Sequence, residues 1–391
     1  MSDKTFDLII YGASGFTGRL VAEYIQSQYG NGGSLTWAMA GRSKSKLESV
    51  REEMALPADT PILIADTSDA PSLQAMVAQT RCILTTVGPY QLYGSELVGA
   101  CAKLGVDYVD LCGESVWMRH MIDAYQEDAK ASGARIVFSC GFDSIPSDLG
   151  VMKLQQIAQQ KYGVPCKSID CRVRAMKGTF SGGTAASLGA AIKAAKSDPE
   201  VYKLAVNPYS LTPGFEGVQQ PDGDTISYSQ ALSSWQAPFI MAAINTRNVH
   251  RSNYLSGYAY GQDFEYSEMM LTGDGEKGEQ IAKVVAGDRS LSSKDAPKPG
   301  EGPSKEEREA GFFDILYIGH VHGAEPIVVN VKGDKDPGYG STSKMISESA
   351  LCLLEDAQDL KGGIWTTAPA MGDKLIARLE ANAGLSFTHG F

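Results

Sequence analysis

The chain has little of what marks a secreted, metal-binding or membrane-spanning protein. Seven cysteines among 391 residues, Cys82, Cys101, Cys112, Cys140, Cys166, Cys171 and Cys352, form no CxxC pair, and an odd count suits neither a disulfide framework nor a zinc site. A reducing cytosol is the natural setting for such scattered thiols. The five histidines, His120, His250, His320, His322 and His389, supply no HExxH or comparable ligand set, so no metal is expected. Positive charge is also short. With 35 basic against 46 acidic residues the formal net charge is −11, which repels nucleic-acid phosphates, and no basic patch compensates. The longest charge-free stretch, 225–246, carries several Ser, two Gln and a Pro and is too polar to span a bilayer. Met1 leads through "SDKTFD" straight into a strand-like run, with no leader-like segment. A cytoplasmic protein is expected, one still able to touch a lipid surface from outside.

What the chain does have is alternation. Apolar strand-like runs near 7–11, 35–40, 61–65, 82–87, 107–111 and 135–139 are separated by helical patterns at 18–28, 44–54, 70–78, 94–104 and 117–131. Six strands with intervening helices predict an α/β fold with a Rossmann-type, doubly wound parallel sheet over residues 1–148. After about residue 150 the texture changes. "SIDCRVRAM" (168–176), "FFDILYIGHVHG" (312–323) and "PIVVNVKG" (326–333) read as strands with alternating faces, which predicts a second α+β unit with a mixed or antiparallel sheet over 149–340. The hairpin 312–333 offers an edge for pairing in a homodimer, or an edge covered by another segment. Residues 287–311 are crowded with charge, Pro and Gly and read as an exposed loop. Helical patterns at 342–357 and 370–383 fill the last part, 341–391.

The stretch "LIIYGASGFTGRLVAEYI" (8–25) carries the first chemical signal. A strand, then Gly12, Gly15 and Gly18, then a helix, is the context a glycine motif needs for dinucleotide binding. Gly12 allows the tight turn, Gly15 the approach of backbone amides to a pyrophosphate, and Gly18 close helix–strand packing, with Ser14, Phe16 and Thr17 completing the cradle at the positive helix end. An NAD-specific site places an acid after the second strand. Here stands "AGRSKSK", where Arg42 and Ser43, with Lys44 and Lys46, suit a 2′-phosphate. NADP(H) is therefore expected over NAD(H). Asp66, in "PILIADTSD", can contact the adenine or cap the next helix.

The ends of the later strands should face the same crevice. "TTVGPYQLYG" (85–94) brings Thr86, Val87, Gly88 and Pro89 beside the nicotinamide, with Tyr90 and Tyr93 as candidate proton donors or ring-stacking walls. "DLCGE" (110–114) and "SCGFDSIPSD" (139–148) bring Cys112, Gly113, Glu114, Cys140 and Asp143. Gly113 is a cofactor candidate and Asp143 a catalytic one, although carboxylates there can equally cap helices. Cysteine catalysis needs a basic partner, and no Cys–His pairing is visible. None of the seventeen tyrosines is followed four residues later by Lys, so the Tyr–Lys chemistry of short-chain reductases is absent. In "WQAPFIMAAINTRNVHRSNYL" (235–255) an apolar run precedes Asn245, Arg247 and Arg251, candidates for an acyl-chain wall and a substrate phosphate contact.

Taken together, "YGASGFTGRLVAEY", "WAMAGRSKSKL", "TTVGPYQLYGSELVGACAKLGVDYVDLCGE", "GFDSIPSDLG", "FSGGTAASL", "PFIMAAINTRNVHRSNYL", "GYGSTSKMISESALCLL" and "PAMGDKLIARLEANAGLSF" resemble the saccharopine dehydrogenase-like oxidoreductases. Within them the chain is most similar to the bacterial trans-acting enoyl reductases of complex lipid synthesis. The resemblance implies a Rossmann domain, a substrate domain, a C-terminal segment that returns to the Rossmann unit, and a nicotinamide cofactor. It transfers no catalytic residue. Animal relatives of this branch are linked to lipid surfaces.

The leading expectation is an NADPH-dependent reductase of an enoyl or carbonyl group on a small or carrier-bound acyl substrate. Two alternatives stand beside it: an amino-acid dehydrogenase of the saccharopine type, which needs Arg or Lys clamps for carboxylates, and a non-catalytic NADP-binding protein of lipid surfaces. For the clamp the sequence offers Arg172, Arg174, Arg247 and Arg251, which form no clear clamp.

Overall fold

The computed structural model describes residues 4–31, 33–298 and 300–390; the first three residues, at the head of the stretch read as leaderless, lie outside it. The N-terminal half runs β1 (Phe6–Tyr11), α1 (Phe16–Tyr29), β2 (Trp37–Gly41), α2 (Lys44–Glu53), β3 (Ile62–Ile64), α3 (Ala70–Val77) and β4 (Thr80–Thr85). It continues through α4 (Tyr90–Tyr93), α5 (Ser95–Leu104), β5 (Asp107–Val109), α6 (Ser115–Ser132) and β6 (Arg135–Val137). The six strands pair in parallel in the order β3-β2-β1-β4-β5-β6, the doubly wound arrangement. Helices cover both faces, so β1 is apolar on both: Leu8 and Ile10 enter one core and Ile9 the other, all fully buried.

Two boundaries differ from the sequence expectation for local reasons. β4 stops at Thr85, which leaves Thr86 and Val87 in the loop. β5 stops at Val109, after which Asp110 Oδ1 accepts the backbone amides of Cys112 (3.0 Å) and Ser139 (2.9 Å) and joins the ends of β5 and β6.

The second half comprises α7 (Ile145–Tyr162), β7 (Ser168–Lys177), α8 (Gly182–Ser197), α9 (Pro199–Val206), β8 (Ser227–Ser229), β9 (Ser234–Pro238), α10 (Ala242–Leu255), β10 (Glu265–Gly273) and α11 (Gly275–Gly287). Then follow α12 (Lys305–Glu309), β11 (Phe312–His320), β12 (Ile327–Gly333), α13 (Thr342–Leu351), β13 (Gly363–Trp365), α14 (Thr367–Asn382) and β14 (Leu385–His389). The second sheet runs β14-β12-β11-β7-β10-β9-β8 and is mixed, with β7 and β10 parallel and the other pairs antiparallel. The hairpin 312–333 is therefore not an edge. β7 covers one side and β14 the other, which removes the strand-pairing route to a homodimer read from the sequence.

The C-terminal segment is more than helical. β13 pairs with β6 as a seventh parallel strand of the first sheet, and β14 closes the second, so one short stretch of chain ties both sheets together. α13 packs on α1, where fully buried Glu348 accepts hydrogen bonds from Tyr24 (2.6 Å) and Tyr29 (2.5 Å) of α1 and pairs with Arg378 of α14 at 3.3 Å. Residues 287–311 stay largely on the surface but are not structureless. α12 opens with a capping box from Ser304 and Glu307, and a Cβ on Gly302 would lie 2.5 Å from the Phe16 ring, so the segment packs on the glycine turn. No described helix is long and apolar enough to cross a membrane.

Candidate active site

The turn between β1 and α1 is shaped for an anion. Gly12 adopts φ +90°, and a Cβ there would come 2.6 Å from Val87 Cγ2, while one on Gly18 would come 2.2 Å from the Gly12 carbonyl. Only glycine closes this turn so tightly. Gly15 is the exposed N-cap of α1; no side chain caps the helix and no acid sits in its first turn. Its amides and positive end are thus left open to a phosphate. Thr86, past β4, donates from Oγ1 to Gly12 O at 3.4 Å and flanks the cradle with Val87. Ser14 and Thr17 lie half-buried along it, and the Phe16 ring meets the Tyr339 ring edge-on at 5.1 Å.

At the adenosine end Arg42 is exposed and, among the described residues, makes no hydrogen bond or ion pair. Ser43 Oγ accepts from Lys46 N at 3.4 Å as the N-cap of α2 and shares a hydrogen bond with Ser45 Oγ at 3.2 Å. Asp66 does not cap α3; Asp69 does. The Asp66 carboxylate takes Ser68 N at 2.9 Å and Ser68 Oγ at 2.8 Å, and these bonds, with Arg42 nearby, hold it below the usual carboxylate range.

The structure corrects several readings at the reacting end. Tyr90 is buried against Trp117, its hydroxyl held between the Thr85 carbonyl (3.4 Å) and the Leu111 amide (3.1 Å), and burial raises its pKa well above the usual phenol. A phenol so placed braces the β4 and β5 loops and cannot reach a substrate. Tyr93 is 41% exposed on the short α4, open to solvent. Glu114 accepts the amides of Tyr90 (2.8 Å) and Gln91 (2.9 Å), so it fastens the turn after Gly88 and Pro89. Cys112 and Cys140 are fully buried and their thiols pushed well up, the opposite of what a nucleophile needs.

Arg247 and Arg251 likewise leave the substrate role. Both are buried. Arg247 donates to the carbonyls of Ala243 and Ala205, and Arg251 to those of Leu211 (2.7 Å) and Ile364 (2.6 Å), so they tie α9 and β13 to α10. Arg172 is engaged by Asp170 and Gln236, and Arg174 by Asp314 and Asn330. No guanidinium of this set is free to clamp a dicarboxylate.

Asp143 is different. It follows β6, half-buried, and accepts no hydrogen bond among the described residues. A Cβ on Gly113 would lie 3.6 Å from Asp143 Oδ2, so the carboxyl stands directly over the Gly113 backbone at the end of β5. Burial alone pushes it up to about 7. Across from it stands Tyr339, whose hydroxyl accepts from Ser181 N and pairs with Thr184 Oγ1 at 3.0 Å. Neither Tyr339 nor Ser181 was singled out by sequence; 158 positions separate them, and only the fold brings them together. α8 starts here and lies against the Gly88 turn, where a Cβ on Gly88 would meet Ser187 Oγ at 3.4 Å.

A glycine turn feeding an uncapped helix, a free cation past the second strand and an unpartnered carboxyl over the end of the fifth define a Rossmann-type oxidoreductase. Comparison with known proteins narrows the class. Residues 8–137 match the family model of the saccharopine dehydrogenase NADP binding domain. A putative trans-acting enoyl reductase of Mycobacterium tuberculosis (strain ATCC 25618 / H37Rv) is 41% identical over 98% of this chain and 97% of its own length. The trans-acting enoyl reductase of Mycobacterium bovis (strain BCG / Pasteur 1173P2) is 38% identical over 97% and 96%. The chain belongs to the trans-acting enoyl reductase family. It is an NADP-dependent oxidoreductase. Apo saccharopine dehydrogenase (L-Glu forming) from Saccharomyces cerevisiae shares the fold, with a TM-score of 0.57 at 10% identity over 98% of this chain and 99% of that one. So does homospermidine synthase from Legionella pneumophila, at 0.56 and 8% over 100% and 93%.

Proposed function

We propose that the chain reduces the carbon–carbon double bond of an acyl-linked enoyl substrate with NADPH, and that Asp143 donates the proton. The observation that carries this reading is a carboxyl without hydrogen-bond partners, poised near neutral pH over Gly113. NADPH when bound supplies a hydride; the chain must supply everything else. The Gly12–Gly18 turn and the first amides of α1 take the pyrophosphate, and Arg42 with Ser43 takes the 2′-phosphate. Thr86, Val87, Gly88, Pro89 and Gly113 are the residues that would hold the nicotinamide. As electron density builds at the carbon next to the carbonyl, the Asp143 carboxyl, kept protonated by its burial, delivers the proton there.

The acyl assignment is supported by the wall opposite. α8, "GGTAASLGAAIKAAKS", presents small and apolar residues for its first three turns and carries its only charges, Lys193 and Lys196, at the far end. With Arg172, Arg174, Arg247 and Arg251 all engaged, an apolar substrate fits better than an amino-dicarboxylate. We assign residues 1–148 to the nucleotide unit, 149–340 to the substrate unit and 341–391 to the clasp between them.

The test is NADPH oxidation with enoyl thioesters, beside saccharopine and amino acid plus oxo acid. Turnover is expected only with the enoyl thioesters. Asp143→Asn should lower kcat by about 10²- to 10³-fold with NADPH affinity unchanged. Turnover with saccharopine, or an unimpaired Asp143→Asn, sinks the reading.

A further inference from the structure

The residue after Asp143 is held in a conformation its own chemistry disfavours. Ser144 sits at φ 120°, ψ −20°, where a residue with a Cβ is strained. Ser144 N donates to Phe142 O at 2.8 Å, which closes a tight turn with Asp143 at its apex. Glycine would take this shape more easily, so the reason for serine must lie in its hydroxyl.

That hydroxyl is fully engaged. Ser144 Oγ donates to Asn245 Oδ1 at 2.9 Å and accepts from Asn248 Nδ2 at 2.7 Å. Asn245 Nδ2 in turn donates to Glu268 Oε1 at 3.0 Å, and Tyr266 donates to Glu268 Oε2 at 3.3 Å. Every member of this chain is more than nine-tenths buried. The turn that carries the acid is thus fastened to α10 and, through Asn245, to β10 of the second sheet.

We propose that Ser144 is a positioning residue: anchored by Asn245 and Asn248, it holds the apex of the turn so that the Asp143 carboxyl stays over Gly113 and out of water. The inference rests on the reading of Asp143 as proton donor. It adds that the acid, although on the nucleotide side of the chain, takes its orientation from the substrate side. Strain at a functional site persists only where the surroundings over-determine it, and two asparagine amides on one hydroxyl do so here.

The titratable groups facing Asp143 are Cys112 past β5 and Tyr339 before α13, both pushed up by burial and so neutral. Glu114 is turned to the α4 amides, and Asp148 and Glu268 lie behind Ser144. The limb on which kcat falls with rising pH therefore reports Asp143.

Ser144→Gly removes the hydroxyl and relieves the backbone, so the gain in backbone freedom offsets part of the cost of unpairing Asn245 and Asn248. It should lower kcat by about 10- to 100-fold at unchanged NADPH affinity. The basic limb should move to lower pH as the freed carboxyl gains water. Asn248→Ala should shift both in the same direction by less. A Ser144→Gly enzyme that keeps the wild-type limb overturns the inference, whether its rate is kept or lost, since loss without displacement is a merely structural effect. An Asp143→Asn enzyme with the wild-type rate and limb overturns instead the reading beneath it.

Discussion

The two parts of the candidate site are built in opposite ways. At the phosphate end the chain offers backbone amides and an exposed, unpartnered Arg42, all supplied by residues 12–46. At the proposed reacting end Asp143, Tyr339, Ser181 and Ser144 are buried or half-buried and come from segments up to 196 positions apart. The first end needs only the right turn; the second needs the whole fold. A nucleotide brings its own charge and can be met by open donors, whereas a neutral carboxyl must be kept from water to hold its proton.

The largest expected effect that would sharpen this contrast is at the turn. Gly18→Val places branched carbon where a Cβ already falls 2.2 Å from Gly12 O, so NADPH affinity should fall by more than about 100-fold, with apo stability lowered by about 3 kcal/mol. Calorimetric titration and thermal unfolding measure both. Wild-type affinity would show that the turn does not form the cradle. Next, Arg42→Ala should cost about 1.5–3 kcal/mol of NADPH binding, roughly 10- to 100-fold, and leave NADH binding unchanged. An unchanged preference would break the assignment of the phosphate end.

The smallest effect belongs to the reacting end as a whole. Burial raises Asp110, Asp143 and Glu268 to about 7 and Asp148 to about 6. Because these folded values lie above those of the unfolded chain, the stability they contribute is complete below the ordinary carboxylate range and is lost as pH rises through the raised values. The Tm of the apo protein should fall between about pH 5 and pH 8, and Asp143→Asn should flatten part of that slope. A Tm that rises across the window would mean that these carboxyls are paired or solvated.

Legibility followed the same division. The strand–glycine–helix pattern and the six-strand alternation were readable because they are local and periodic. Tyr90 was misjudged for a physical reason: it shares one short helix with Tyr93 three positions on, yet it faces Trp117 and the core while Tyr93 stays exposed. Arg247 and Arg251 read as ligand contacts because they follow directly on an apolar run. Their partners are carbonyls, which leave no mark in a sequence. The hairpin 312–333 looked like an edge because the strand that covers it, β14, comes more than fifty residues later.

The amino-acid sequence alone determined the doubly wound sheet, the glycine cradle and the cation suited to a phosphorylated coenzyme, since each depends on neighbours a few residues apart. Tertiary structure decided which polar side chains are spent on the fold and which remain for chemistry. Asp143 is left without a partner, and Ser144 bent into place beside it, because helices and loops from the second half close over the first, and on the proposed reading that partial enclosure is what keeps the carboxyl protonated.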